Sequence, residues 1–439
     1  MDNLYKTLFY EWQQKKVESS KPREYDLTVY SKTKINKIIV LTGFRRVGKT
    51  TLLFDLAIKL QKKNPKNVLY INFEDERIPI ETSFLTGLSE AILEFYPNPP
   101  QFILLDEIQL IPNWSKWLRR MYDNTDFRFY VTGSNSKMSS AEIPTELRGR
   151  FIELYISPLN FKEFLNFKDF NKELTDIEYR KSDFIKLKKL LDEFIFDGGL
   201  PEIVLENNNL SKDIAQSYFA TVVSRDIIER NLIKNTFALK TIIKQLVQSQ
   251  TFTISKMYNS IKSMQIDIGK NTISEYIGFI EGSYFFRFLT CFSFKVRKSM
   301  MLPRKVYCID RIFLSALSTK FSKNTGWYYE NTVASSLFNT DKEVYYWKSV
   351  DSSYEVDFVI RKEEKTIALV QVSFDIENQD TLKRELRALI TASKELNCDK
   401  LILITRSEDR KVEDEWFGTK ATITMMPLWK WLISGIDEI

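Results

Sequence analysis

The stretch KIIVLTGFRRVGKTT, Lys37 to Thr51, limits what this chain can fold into more than any other. An apolar run suited to a buried strand ends at Thr42, and Gly43, Phe44, Arg45, Arg46, Val47, Gly48, Lys49, Thr50 and Thr51 then satisfy GxxxxGK followed by Thr. A helical apolar pattern, TTLLFDLAIKLQKK, begins inside the motif. Glycines let such a loop curl until its backbone amides face a polyphosphate, and the helix N-terminus behind it adds a favourable dipole. In that geometry Lys49 bridges phosphates and the Thr50 hydroxyl holds Mg²⁺. The sequence also supplies the sheet this loop needs. NVLYINFED, a helix around Ser83 to Phe95, QFILLDE, WSKWLRRMYD and FRFYVTGS alternate strand and helix patterns up to about Leu159, which predicts an α/β domain with a parallel sheet.

Candidate chemistry gathers at the ends of those strands. QFILLDEIQ reads as a buried strand that delivers Asp106 and Glu107 to the edge where ligands bind in open α/β sheets. Asp106 is the expected metal residue, through water, and Glu107 the residue that orients or deprotonates an attacking water. FRFYVTGSNS ends in small polar residues, of which Asn135 is a candidate for touching the γ-phosphate or the lytic water. TELRGRF offers Arg148 and Arg150 as an arginine finger, from the same chain or from a neighbouring subunit in an oligomer. No NKxD-like signal for guanine is present, so ATP is the expected nucleotide.

Absences narrow the chemistry further. The 439 residues contain no histidine, which removes Ser/His/Asp and Cys/His catalysis and imidazole metal ligands. Three scattered cysteines form no CxxC pair, as expected of a reducing compartment. No apolar run approaches the roughly 20 residues of a membrane span, and the first residues lack a signal-peptide core, so the expectation is a cytoplasmic chain. The net charge of +6 mildly favours anionic partners.

The pattern divides into a helix and linker over 1–36, the P-loop core over 37–159, a helical, lid-like segment over 160–250, a winged-helix-like part over 251–310 and a final α/β part over 311–439. TFTISKMYNSIKSMQIDIGKNTISEYIGFIEGSYFF resembles a helix-turn-helix leading into a strand pair, SYFFRFLTCFSFKVRKS. Its second helix carries glutamates and no lysine or arginine, which argues against insertion into a major groove. Basic residues lie next door instead. Lys295, Arg297, Lys298, Arg304 and Lys305 suit contacts of a wing with nucleic-acid phosphates that read no sequence.

GFRRVGKTTLL, LLDEIQ, VTGSNS, LRGR followed by PLNFKEF, GGLP and RDIIER together resemble a family of archaeal and bacterial ATP-binding proteins in which an AAA-type P-loop domain is fused to a C-terminal region of unknown function. That resemblance implies an AAA-like ATPase core, a winged-helix-like middle and a restriction-endonuclease-like end. It supplies no substrate.

A nuclease of that last kind needs a carboxylate on one strand and Glu-x-Lys on the next, usually with a glutamate from a preceding helix. EVDFVIRKEEKTIALVQVS, Glu355 to Ser373, reads as the hairpin: Asp357 stands on its first strand, Gln371 and Ser373 share a face of the second, and Glu330 precedes on a helix. Gln371 lacks the charge a hard cation prefers and Ser373 is no cation, so the site is expected to be degenerate unless Lys348, Lys362 or Lys365 reaches it from elsewhere. The leading expectation is an ATP hydrolase whose nucleotide cycle repositions the C-terminal modules on a partner, DNA first. The alternatives are an ATP-gated, metal-dependent nuclease and a nucleotide-switched scaffold that binds another protein.

Overall fold

The computed structural model describes residues 2–62, 64, 66–133, 146–206, 210–317, 324–351 and 353–436. The chain separates into two units, Met1–Ser157 with Gly282–Tyr284, and Pro158–Glu281 with Phe285–Ile439.

Five parallel strands form the first unit's sheet: β1 (Ile38–Thr42), β2 (Val68–Asn72), β3 (Phe102–Asp106), β4 (Arg128–Thr132) and β5 (Phe151–Tyr155), ordered β2-β3-β4-β1-β5. Every residue of β1 and β3 is buried, as continuous apolar runs require when helices cover both faces. Among those helices are α1 (Asp2–Gln14), α2 (Lys49–Gln61), α3 (Thr82–Phe95) and α4 (Trp114–Asn124). Helix α1 packs into this unit. Tyr5, Phe9 and Trp12 are buried, the Tyr5 hydroxyl donates to Phe84 O at 2.9 Å, and Trp12 Nε1 donates to Val68 O at 2.8 Å. Strand β1 lies inside the sheet while β2 forms one edge, so the chain crosses over directly after the phosphate-loop motif, the place where such sheets open a crevice at their C-terminal edge.

The second unit begins with helices, including α5 (Phe161–Phe167) and α6 (Lys181–Asp197), and contains a π-helical stretch, Val222–Glu229. Asn160 and Glu163 close a capping box at the start of α5. Helices α7 (Ile254–Ser263) and α8 (Lys270–Gly282) precede most of a three-stranded antiparallel sheet, β6 (Thr251–Phe252), β7 (Phe286–Leu289) and β8 (Arg304–Cys308), ordered β6-β8-β7. The strand pair expected over SYFFRFLTCFSFKVRKS is cut short: β7 ends at Leu289, and Val296–Met301 is a helix, α9. Arg, Lys and Met there are strong helix formers, and the bulk of that segment leaves the sheet.

The GGLP motif has a packing reason. Gly198 has φ +83°, and a Cβ there would stand 1.7 Å from Asp310 Oδ1, while Gly199 N donates to Asp310 Oδ2 at 2.7 Å. Asp310 follows β8, so these glycines let a helical turn close on the end of that strand.

The last third pairs helices α10 (Thr325–Leu337) and α11 (Gln379–Leu396) with a six-stranded mixed sheet. Its strands are β9 (Glu343–Lys348), β10 (Glu355–Lys362), β11 (Lys365–Val372), β12 (Leu401–Thr405), β13 (Arg410–Trp416) and β14 (Thr419–Pro427), ordered β13-β14-β12-β11-β10-β9. Val359, Leu369, Leu403 and Met425 from its strands pack with Leu386 and Leu389 of α11 in one core. Strands β10 and β11 are the expected antiparallel hairpin, turning at Glu363, which has φ +56°.

Candidate functional site: a phosphate loop and a lysine pocket

In the first unit β1 ends in Thr42, and the chain turns through Gly43 at φ +135° and Arg46 at φ +67° to Gly48 at φ +96°, the N-cap of α2. A Cβ on Gly43 would meet Ile156 O at 2.2 Å, so only glycine lets the loop start beside the exit of β5. Lys49 is buried and its Nζ donates to Gly43 O at 3.0 Å and Phe44 O at 2.9 Å, which folds the ammonium back over the loop. Arg45 pairs with Glu74 at 3.1 Å.

Strand β3 carries Asp106 to the same edge. Its Oδ2 accepts from the Thr50 hydroxyl at 2.8 Å and from the Tyr70 hydroxyl at 2.8 Å, and its Oδ1 accepts from the Thr132 hydroxyl. Burial pushes the Asp106 carboxyl above the usual range, and the Thr132, Thr50 and Tyr70 hydroxyls pull it back. Glu107 sits in the left-handed region at φ +56°, where a non-glycine residue is uncommon and strained. Its N–H donates to Thr132 Oγ1 at 3.0 Å, and its carboxylate accepts from Gln109 Nε2. A hydroxyl and a carboxylate hydrogen-bonded at the loop's helix, beside a lysine that donates to neutral carbonyls, suit a triphosphate with its divalent cation: Lys49 would meet the phosphates, Thr50 and Asp106 the metal.

Tyr70, Thr132 and Arg23 carry no motif. The Arg23 guanidinium donates to Val47 O at 2.8 Å and to Ser157 O at 2.9 Å, tying the loop to the chain leaving β5. Arg148 and Arg150 precede β5, whose Phe151 pairs with Ile38 at the start of β1. They therefore stand at the sheet edge opposite the phosphate loop, one five-residue strand away, or roughly 16 Å. Arg150 there pairs with Asp123 at 2.8 Å. Asn135 lies outside the described residues.

The second unit brings Glu330, Asp357 and Gln371 together, but not as an open acidic site. Gln371 is buried, its Oε1 accepts from Asp357 N at 3.0 Å and its Nε2 donates to Glu385 Oε2 at 2.7 Å. Ser373 lies just past β11, with its hydroxyl toward Asp375 O at 3.3 Å. The missing lysine has a source that neither strand suggests. Lys305 of β8 is 4% exposed, and its Nζ lies 2.7 Å from Asp357, 2.9 Å from Glu355 and 3.1 Å from Glu330. Its assignment to a nucleic-acid wing is therefore corrected: a buried ammonium among carboxylates cannot meet a phosphate backbone. Of that basic cluster Lys295 and Arg297 are exposed, Arg304 stacks over Phe252 at 5.1 Å, and the side chain of Lys298 lies outside the described residues. Of the lysines considered as substitutes, Lys348 reaches Glu355 at 3.5 Å, Lys362 pairs with Asp341 and Lys365 begins β11 at the exposed turn.

Residues 35–165 match the family described as an AAA domain, and residues 188–324 and 325–431 match two domains of unknown function, DUF8612 and DUF4143. The uncharacterized protein MJ1544 of Methanocaldococcus jannaschii is 36% identical over 409 residues, spanning 91% of this chain and 89% of that one. An uncharacterized Haemophilus influenzae protein is 31% identical over 350 residues, 77% of this chain and 83% of that one. Among solved structures, the Aeropyrum pernix Orc1 protein in complex with DNA overlaps 71% of this chain and 91% of its own at 14% identity and TM-score 0.33. AMPPCP-bound DnaA from Aquifex aeolicus overlaps 56% and 82% at 16% identity and TM-score 0.28.

Proposed function

Because the chain belongs to the family in which an AAA-type P-loop ATPase domain continues into these two domains of unknown function, we propose that it binds ATP with Mg²⁺, hydrolyses it, and uses the cycle to reposition its C-terminal modules on a partner, DNA first. The observation that carries this is the convergence of Lys49, Thr50, Asp106 and Glu107 at one edge of the parallel sheet. Thr50 and Asp106 hold the Mg²⁺, which when bound offsets phosphate charge. Glu107 orients the lytic water or takes its proton, with Gln109 fixing its carboxylate. Asn135 is assigned the γ-phosphate side. An arginine finger from Arg148 or Arg150 reaches this site only from a second copy of the chain, since within one chain both stand at the far edge.

Support for DNA is the winged-helix-like order of α7, α8 and the three-stranded sheet, with Lys295 and Arg297 exposed beside it. A protein partner is the second reading, and it too has an observation: Phe294, Met300 and Met301, which alternate with the basic residues along the same segment, are 73%, 81% and 73% exposed. Among the described residues no helix is long and apolar enough to cross a membrane.

The test is ATP hydrolysis by wild type, Lys49→Ala and Glu107→Gln, each with and without single- and double-stranded DNA. Loss of turnover in both variants and stimulation of wild type by DNA, fading as salt rises, are expected. Normal turnover by Lys49→Ala ends the ATPase proposal. A rate indifferent to DNA favours the scaffold.

A further inference from the structure

The carboxylate pocket of the second unit is independent of the phosphate loop, and its contents are unusual. A cavity of about 400 Å³ is lined by Lys305, Glu330, Glu355, Asp357, Gln371 and Glu385, among others. Glu330 arrives from α10, Glu355 and Asp357 from β10, and the ammonium from the neighbouring sheet's β8. Each acid has a second partner. The Tyr307 hydroxyl donates to Glu330 at 2.7 Å, Val372 N donates to Asp357 Oδ2 at 3.0 Å, and Lys348 faces the other oxygen of Glu355 at 3.5 Å. The oxygens Glu330 Oε1, Glu355 Oε1 and Asp357 Oδ1 converge on Lys305 Nζ at 3.1, 2.9 and 2.7 Å.

Three carboxylate oxygens converging on one point are what a hard divalent cation asks for, at roughly 2.0–2.6 Å. A metal and the Lys305 ammonium cannot share that point, because the same oxygens are committed to the ammonium and the two cations would repel at such close range. Around the ammonium, at 3.1, 2.9 and 2.7 Å, the three oxygens stand wider than a metal requires, and among the described residues no group of three or more acidic, cysteine or histidine side chains is arranged to hold a metal ion as it stands. We infer that the Lys305 ammonium is the resident cation of this pocket, and that it closes to divalent metal a carboxylate cluster which would otherwise bind one. Gln371 fits the same state: with its oxygen on Asp357 N and its amide on Glu385, it adds no charge to the centre. The pocket then has no metal with which to activate water, and Lys305 instead joins β8 to β10 and α10.

Mn²⁺ titration of the nucleotide-free full chain, followed by electron paramagnetic resonance, tests this. The pocket's signal is defined as bound Mn²⁺ that Asp357→Asn removes, which separates it from any metal at Thr50 and Asp106. Wild type should show none, and Lys305→Arg, which keeps a cation, should also show none. Lys305→Met should gain one Mn²⁺ per chain, at least tenfold tighter than wild type, and lose it when Glu330→Gln or Asp357→Asn is added. Wild-type Mn²⁺ binding that Asp357→Asn abolishes would overturn the inference, as would a folded Lys305→Met chain that takes no metal. If Lys305→Met does not fold alone, it is refolded with and without Mn²⁺. Recovery only with the metal supports the inference and failure with it overturns it.

Discussion

Two buried lysines, Lys49 and Lys305, lie in different units and face different kinds of acceptor. Lys49 donates to the carbonyls of Gly43 and Phe44, contacts that fold its ammonium over the phosphate loop. Lys305 faces Glu330, Glu355 and Asp357. Burial works against that ammonium, yet Asp357 and Glu330 raise its pKa well above the ordinary lysine value, and the charge stays on the lysine. The difference teaches that the partners of a buried cation decide its use. Folded over a phosphate loop it stands where a ligand's charge would come, whereas matched to three carboxylates the same side chain becomes a fastener.

Mutating each lysine to methionine is the strongest way to break this comparison. Lys49→Met should lower kcat/KM for ATP by roughly 10³-fold, since a charge aimed at the phosphates is lost. Lys305→Met should leave hydrolysis within about twofold. A comparable fall in both would mean that the lysine pocket takes part in the nucleotide cycle. Stability should respond in reverse. Removing the ammonium leaves three carboxylates facing one another, a loss of about 3–5 kcal/mol in the second unit, whereas Lys49→Met should cost about 1 kcal/mol in the first. Two separate melting transitions report this, since the chain has two units and one unfolding step is not expected.

The two lysines also differ in how far sequence reveals them. Lys49 sits in a contiguous motif whose strand, loop and helix are all local, so its place at the turn from β1 into α2 is legible in the residues alone. Asp106 and Glu107 are legible for the same reason, at the end of an apolar strand. Tyr70, Thr132 and Arg23 are not, because their contacts to Asp106 and Val47 come from other strands and from a polar linker. Lys305 is hidden by its neighbours. FKVRKSMMLPRK reads as a basic wing, but on β8 successive side chains alternate: Arg304 turns to Phe252 and Phe288, Lys305 to the acids. The hairpin itself is visible in its alternation, and so is the lack of a lysine on it. What one dimension cannot give is that β8, well upstream in the chain, fills the place, because that depends on which sheets pack together.

A smaller effect probes the charge on the acid side of the pocket. Burial pushes the Asp357 carboxyl up to about 7, against the pull of the Lys305 ammonium. Its folded pKa therefore lies above its unfolded value near 4, so the folded state holds a proton that the unfolded chain releases. The associated stability is fully present below about pH 4 and is lost as pH rises through about 7. Asp357→Asn removes that dependence. The stability gap between wild type and Asp357→Asn should change by roughly 4 kcal/mol between pH 4 and 8, in the direction that penalises wild type at the higher pH. A gap constant across that range would mean that Asp357 is ionised throughout and the pocket is more polar than its burial suggests.

The smallest effect calibrates the rest. Arg150 pairs with Asp123 at 2.8 Å, nearly the same distance as Lys305 to Asp357 at 2.7 Å, but with side chains 28% and 38% exposed. Water solvates both charges in the folded and unfolded states, so the pair gains little and removing it leaves nothing stranded. Arg150→Ala should cost less than about 1 kcal/mol in the first unit's melting transition, and that small loss should shrink further in 1 M salt. The two contacts match in length, so any difference in their effects measures burial. Equal losses for Arg150→Ala and Lys305→Met would mean that the lysine pocket is as open to water as the surface, and the contrast between fastener and ligand-binding group would fail.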